Sequence, residues 1–366
     1  MNFSKEEIHQ ALRKVNDPDL KRDIVSLGMV ENIVLKENEI EFTLVLTTPA
    51  CPLKEELRKS CEEALHRFVD AGVRVKVNFE SRITSRRKDA KEIVPDVKNI
   101  ICIASGKGGV GKSTIAVNLA LALAKNGSKV GLIDADIYGP SVPVMLGIKG
   151  RRPEVRQVNG KPMMIPLEHY GIKALSIGML VDEHQAVVWR GPMVSSALRQ
   201  FFTDCLWGEL DYLILDLPPG TGDIHLTLVQ TVPVTGAIVV TTPQEVALAD
   251  VRKAIGMFRM PAINVPVIGI VENMSYFTPR ELPENKYYIF GKGGGRKVAE
   301  EFGLPLLGQI PIVQSICEGG DSGLPAVLGD DMISKYAFQE FANNSERYIA
   351  IRNSTIEATQ PVEVMA

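Results

Sequence analysis

Gly106-Lys107-Gly108-Gly109-Val110-Gly111-Lys112-Ser113 has the spacing G-x-x-x-x-G-K-S, and its surroundings decide the fold. An apolar run over 100–104 leads into it, and a helical pattern over 113–125, closed by Gly127, leads out. Glycines at these spacings let successive backbone N–H groups turn inward as an anion nest, and the N-terminus of the following helix adds partial positive charge. The stretch therefore predicts a cradle for nucleotide phosphates. Lys112 is expected at the β- and γ-phosphates and Ser113 on Mg²⁺, with Gly106, Gly108, Gly109, Val110, Gly111 and Thr114 completing the binding loop.

Downstream of residue 99, short apolar runs alternate with helical patterns. Residues 130–133, 212–215, 237–240, 267–271 and 306–310 join 100–104 as predicted strands. Near-continuous apolar runs are what strands buried on both faces look like. The expected fold class is α/β: a P-loop NTPase with a mostly parallel sheet flanked by helices, preceded by a small α+β domain. Two of the runs end in carboxylates, Asp134 with Asp136 in Leu-Ile-Asp-Ala-Asp, and Asp216 in Tyr-Leu-Ile-Leu-Asp. The carboxyl ends of strands are where ligand sites of α/β sheets gather. Asp216 is expected to hold Mg²⁺ through water, and residues 217–223 to form a switch loop.

Upstream, residues 1–82 read as the small domain. Ser4 and Glu7 make a capping-box pattern before Ile8, Leu12 and Val15. Residues 29–35 and 40–46 read as strands, a helix carries Leu53, Leu57, Cys61, Leu65 and Phe68, and Val73, Val75, Val77 and Phe79 alternate as a last strand. Residues 83–98 are expected to be a solvated basic linker, with Arg86, Arg87, Lys88 and Lys91 beside Asp89 and Glu92. The ATPase domain is then 99–352, and 353–366 a flexible polar tail.

The chain has 366 residues, 45% of them apolar, and a formal charge of −3. That balance gives no global attraction to nucleic acid or anionic membrane, and no basic cluster stands out on the ATPase domain. The opening residues carry no apolar signal core. The most apolar helical run, 115–124, contains Asn118 and falls short of the roughly 20 residues of a membrane span. Five scattered cysteines without a Cys-x-x-Cys pair fit a reducing cytoplasm.

The second lysine of the loop, Lys107, is not needed to hold phosphate from its own chain. A double-lysine loop resembles the MinD/ParA/nitrogenase-iron-protein class. That resemblance implies a homodimer in which Lys107 reaches the partner's nucleotide as an arginine finger would. It further implies that Asp136 orients the attacking water, that Asp134 lies near Mg²⁺, that Asn273 hydrogen-bonds adenine, and that Pro311, after Ile310, packs on the base. Within the class, Asp134-Ala-Asp-Ile-Tyr-Gly-Pro-Ser141, Arg190-Gly-Pro-Met193, Leu217-Pro-Pro-Gly-Thr-Gly-Asp223 and Glu272-Asn-Met-Ser-Tyr-Phe277 resemble the Mrp/ApbC family. Asp17-Pro-Asp19 and Thr47-Thr-Pro-Ala-Cys-Pro52 resemble the small domain of iron–sulfur assembly factors. The family is implied to hydrolyse ATP slowly and to carry iron–sulfur clusters to apoproteins.

One stretch departs from that family. Between Phe277 and Ile289, where its members place Cys-x-x-Cys, this chain has no cysteine, and Glu281, Glu284 and Asn285 are hard oxygen groups. Cys61, Cys102 and Cys205 fall in apolar patterns and read as buried hydrophobes. Cys51 and Cys317, both expected in loops, remain as candidate cluster ligands. Two alternatives stand beside the carrier: a nucleotide-switched adaptor that holds no cluster, and a MinD- or ParA-like positioning ATPase.

Overall fold

The structure is a computed structural model that describes residues 4–49, 52–85, 93–137, 139–180, 191–279, 281–282 and 284–359. Cys51, Arg190 and the basic residues Arg86, Arg87, Lys88 and Lys91 lie outside the described residues. The chain forms two compact units.

The first comprises residues 4–84 with Ala350–Ile356. Helix α1 (Lys5–Leu12) opens on the capping box: Glu7 N–H donates to Ser4 Oγ, and Ser4 N–H donates back to the Glu7 carboxylate at 2.9 Å. Strands β1 (Val30–Lys36) and β2 (Glu39–Leu46) pair antiparallel, and β3 (Arg74–Ser81) pairs parallel to β2. A parallel partner needs a crossover, which α2 (Lys54–Phe68) supplies. Ile8, Leu12, Phe42, Leu44, Leu57, Cys61 and Leu65 share its core. Phe68, expected on the buried stripe, is 52% exposed because the helix ends there.

The second unit holds β4 (Val97–Ser105), α3 (Lys112–Lys125), β5 (Val130–Asp134), α4 (Val142–Met145), β6 (Glu154–Val158), β7 (Lys161–Ile165), β8 (Leu167–His169) and β9 (Ile172–Ser176). It continues through α5 (Gly191–Thr203), β10 (Leu210–Asp216), α6 (Asp223–Thr231), β11 (Gly236–Thr241), α7 (Glu245–Arg259), β12 (Val267–Glu272), α8 (Gly294–Phe302), β13 (Leu306–Gln309), α9 (Gln314–Ser322) and α10 (Met332–Thr355) up to Ile349, the rest of α10 belonging to the first unit. Its eight-stranded sheet runs β13-β12-β11-β4-β10-β5-β9-β8 and is parallel except for β8. All six expected runs are strands of this sheet, and β4 lies in its middle, so the glycine loop emerges between helices at the sheet's carboxyl edge. Among the described residues, no helix is long and apolar enough to cross a membrane.

Two features differ from the expectations. β6 to β9 were not among the predicted strands, because only β9 is mostly buried and the β6–β7 ribbon is largely exposed. Nor does a flexible tail begin at 353, since α10 continues to Thr355. Ser354 and Thr355 donate their hydroxyls to the carbonyls of Ala350 and Ile351, and buried Asn353 donates its amide to the Thr84 carbonyl. Polar residues that read as a frayed end are satisfied by the helix itself and by the chain beside it.

Within the second unit, α10 is fastened to the end of α3 by a buried carboxylate. Glu346 accepts hydrogen bonds from Asn126 Nδ2 at 3.0 Å and Ser128 Oγ at 3.2 Å, and neither donor is charged. Burial pushes this carboxyl up to about 7 from its ordinary 4.5, the two hydrogen bonds opposing the shift. Between those values the folded protein keeps a proton that the unfolded chain has already released, so stability falls as pH rises from about 4.5 through about 7. The full span is worth about 3 kcal/mol. Glu346→Gln should therefore raise the melting temperature at about pH 8.5, with the gain gone near pH 4.5, in paired thermal denaturation curves. Equal curves at the higher pH would show that Glu346 is not held protonated.

Candidate nucleotide-binding site

The loop after β4 is built by close approach. A Cβ on Gly106 would sit 2.2 Å from the Asp250 carbonyl oxygen of α7, and one on Gly111, at φ 79°, would sit 2.2 Å from Asn273 Nδ2. No side chain fits at either position, so the backbone packs directly on its neighbours. Lys107, Gly108 and Gly109 face solvent, and Val110 is buried. Lys107 has no ion-pair partner among the described residues.

Lys112 opens α3 and is 6% exposed. Its Nζ lies 2.6 Å from Asp216 Oδ1, 3.5 Å from Asp136 Oδ2 and 3.4 Å from Ser113 Oγ. The strand register explains the cluster, because Asp216 ends β10 directly opposite Asp134 at the end of β5. Both oxygens of Asp134 are engaged: Oδ2 accepts from Ser176 Oγ at 2.9 Å and Val142 N–H at 3.2 Å, and Oδ1 accepts from Asp136 N–H at 3.2 Å. Burial, then the charge of Asp216, pushes the Asp134 carboxyl up. Burial also raises Asp216, against the pull of Lys112. Asp216 Oδ2 is buried without a hydrogen-bond partner.

Residues 217–222 follow Asp216 directly out of β10. Gly220 N–H donates to Ser105 O at 2.9 Å, tying the loop to the strand that carries the glycines. His225, on the first turn of α6, donates Nδ1–H to the Gly222 carbonyl. Burial pushes its imidazole below the ordinary range, so it is neutral at pH 7, and Nε2 is buried without a partner.

At the other end, Asn273 donates Nδ2–H to the Val110 carbonyl at 2.9 Å, holding the loop from behind. Pro311 is buried just past β13, and Ser275 N–H donates to Ile310 O, so the two residues expected at the base come from neighbouring strand ends. Glu272 is fully buried, and its oxygens accept from Ser275 Oγ, Gln309 Nε2 and the N–H of Gly295 in the first turn of α8. A cavity of about 110 Å³ lies between Lys107, Gly108 and Val110 on one side and Thr242, Gln244, Met274 and Phe290 on the other. A wider hollow of about 700 Å³, lined by Lys129, His169, Tyr170 and Glu209, opens at the amino ends of β5, β9 and β10, away from the glycines. Its lysines are already engaged, Lys129 with Glu209 and Lys173 with the Trp207 carbonyl.

The structure thus brings together Lys112, Ser113, Asp134, Asp136 and Asp216, and joins Asn273 to the loop's back. Ser176, Glu272 and His225 were missed. Glu272 had a signal, a lone carboxylate in the buried run that precedes Asn273. Cys61, Cys102 and Cys205 are buried. Cys317 is exposed but belongs to α9 rather than a loop, because Gly319 and Gly320 are accommodated inside that helix and Gly323 ends it.

Residues 96–345 match a family described as the NUBPL iron-transfer P-loop NTPase, and residues 5–79 match a family of iron–sulfur cluster assembly proteins. The chain is 49% identical over 318 residues to an iron-sulfur cluster carrier protein of Synechocystis, covering 87% of this chain and 89% of that one. It is 46% identical over 318 residues to the iron-sulfur cluster carrier protein of Escherichia coli, covering 87% and 84%. Among solved structures, a nucleotide-binding protein of Archaeoglobus fulgidus in complex with ADP superposes with a TM-score of 0.57 at 37% identity, covering 66% of this chain and 93% of that one.

Gly106→Ala tests the close approach. The added methyl meets a backbone carbonyl, so the loop must move while the sheet core stays intact. Affinity for a non-hydrolysable ATP analogue should fall at least about tenfold by calorimetric titration, with far-ultraviolet circular dichroism unchanged. Unaltered affinity would dissociate this loop from nucleotide binding.

Proposed function

This chain belongs to the NUBPL iron-transfer P-loop NTPase family, and we propose that it is a Mg-dependent, slowly hydrolysing ATPase of the cytoplasm. It works as a homodimer, and its turnover serves iron–sulfur cluster assembly or delivery to apoproteins. The observation that carries the reading is Lys112 Nζ, buried at the mouth of the glycine loop with Asp216 at 2.6 Å and Asp136 at 3.5 Å. An ammonium and carboxylates held so close form a preorganised charge site for phosphoryl transfer.

The roles follow from the groups. Lys112 meets the β- and γ-phosphates, and the N–H groups of Gly108 through Thr114 cradle them. The buried, unpartnered Oδ2 of Asp216 and the Ser113 hydroxyl are hard oxygen donors that suit Mg²⁺. When bound, that cation supplies charge neutralisation at the β- and γ-oxygens. Asp134, its oxygens already engaged, acts on the cation through water. Asp136 orients the attacking water and accepts its hydrogen bond. Exposed Lys107 acts on the nucleotide of the partner subunit. Asn273 fixes the loop through Val110 and lies with Pro311 at the base.

Iron–sulfur clusters are held chiefly by cysteine thiolates. Burial pushes the Cys61 and Cys205 thiols up to about 12 and Cys102 higher still, which removes all three. Cys317 and Cys51 remain, two per chain and four in a dimer, the number one cluster takes. A second reading, the adaptor that holds no cluster, is favoured by the cysteine-free stretch 278–288.

Lys112→Ala should abolish ATP binding or turnover, because it removes fixed charge worth several kcal/mol at the transferring group. Lys107→Ala should lower turnover more than affinity. Mixing Lys107→Ala with Asp136→Ala subunits should restore part of the activity, since one composite site keeps both groups; no recovery would refute action across the dimer. For the cargo, anaerobic iron and sulfide loading of wild type, Cys51→Ser, Cys317→Ser and the double variant should fall with each substitution. Equal loading in all four would reject both cysteines, and none in wild type would establish the adaptor.

A further inference from the structure

The β6–β7 ribbon carries charge that the rest of the chain does not. Residues 149–165 hold Lys149, Arg151, Arg152, Arg156 and Lys161 against one carboxylate, Glu154, in a chain whose formal charge is −3. The sequence reading found no basic cluster on this domain. The hairpin makes one by folding the stretch back at Asn159 and Gly160, both at positive φ, so that Val158 pairs with Lys161 and Arg156 with Met163. Arg151, Arg152 and Arg156 are exposed and have no ion-pair partner among the described residues. Some arginines elsewhere do pair, among them Arg58 with Glu55, Arg82 with Glu31 and Arg252 with Glu301.

The ribbon is also firmly rooted. Met164 N–H donates to Asp204 O at 2.7 Å, and Leu206 N–H donates to Met164 O at 2.8 Å. An isolated two-stranded ribbon is marginal in water, and this root gives it a fixed shape. The register puts Arg156 and Lys161 on one face of the ribbon, and exposed Val155 and Pro162 on the other.

We propose that the β6–β7 ribbon is a docking surface for an acidic face of a partner protein. Unpaired arginine forks match carboxylates two bonds at a time, and a fixed ribbon loses little conformational freedom on binding. Nucleic acid is the poorer fit. No aromatic ring stands on the ribbon to stack a base, and exposed Val155 and Pro162 on its other face have no counterpart on a phosphate backbone. A chain that is net negative also repels a long polyanion, while a local acidic patch meets the ribbon alone within a Debye length of about 8 Å.

The test uses the full chain and two probes, a glutamate-rich peptide and a DNA duplex of matched charge, by fluorescence anisotropy over a salt series. The variants are Arg151→Glu/Arg152→Glu/Arg156→Glu and a control in the first unit, Arg13→Glu/Lys14→Glu/Arg22→Glu. Far-ultraviolet circular dichroism and the thermal midpoint report folding, and the corresponding glutamine triple replaces the ribbon variant if either is lost. The peptide should bind wild type more tightly than the duplex does, weaken with salt, and lose about tenfold or more in the ribbon variant but not in the control. Peptide binding unchanged in the ribbon variant, or weakened equally in the control, overturns the proposal. Tighter binding of the duplex, lost with the same arginines, overturns it in favour of a nucleic-acid surface.

Discussion

A lysine ammonium buried to 6% exposure must be compensated where it sits, and Lys112 is compensated by Asp216, which is itself wholly buried. Removing either partner would strand the other charge in a low-dielectric site. Much of the local architecture follows from keeping the two together. β10 must end opposite β5, α3 must begin directly over the sheet's carboxyl edge, and the loop between β4 and α3 must pass close enough to Asp250 and Asn273 that glycine is required. Yet the cluster is not neutral by itself. Three carboxylates, Asp134, Asp136 and Asp216, surround one lysine, and the two buried ones are raised toward protonation. A site over-supplied with carboxylates would be balanced by a divalent cation, which is what the proposed magnesium nucleotide would bring.

How far this was legible in the sequence depends on which physical signal each residue leaves. Strands of the central sheet are buried on both faces, so their apolar runs are continuous and all six could be read. The glycine loop could be read because phosphate cradling demands a backbone shape that few residues adopt. Asp134 and Asp216 could be placed because each closes an apolar run in a chain that also carries the glycine loop; alone, a carboxylate there serves as an ordinary cap or loop-end acid. Ser176 and His225 could not, since a small hydroxyl and an imidazole near a strand or helix end have many ordinary uses, and only register shows that Ser176 meets Asp134. The ribbon had a signal that was passed over, Asn159-Gly160 between Val158 and Lys161, because its exposed strands lack the apolar density of the rest. The end of α10 was misread for the opposite reason. Composition marks Asn353, Ser354 and Thr355 as polar, whereas their polar groups are turned back onto helix carbonyls or onto Thr84.

The base end is organised by a different charge. Glu272 is buried with neutral donors from three places: Ser275 beyond its own strand, Gln309 on β13 and the N-terminus of α8. Its position immediately before Asn273 means that whatever fixes Glu272 also aims Asn273 at Val110. The stretch that lacks cysteine, 278–288, leaves this knot and returns to it through α8. Its exposed side chains include Tyr287, Tyr288 and Leu282, none of them a thiolate. Lys112, Asp134 and Asp216 are thus buried and held by one another and by their neighbours, while Cys317 stands exposed on α9.

The insertion that carries the ribbon is tied to the acidic pair at both ends. It leaves the sheet after Asp134 and α4 and comes back as β9, whose last residue, Ser176, donates to Asp134 Oδ2. Its middle is hydrogen-bonded to Asp204 and Leu206, in the short segment that feeds β10 and so ends at Asp216. The ribbon's root and the segment's return are thus hydrogen-bonded to the chain that forms the two strands ending in Asp134 and Asp216. Packed sheets deform little, so these strand ends hold their separation. Small shifts matter most where charges stand 2.6 Å apart, as Lys112 and Asp216 do, because Coulomb energy in a low dielectric is steep at that separation.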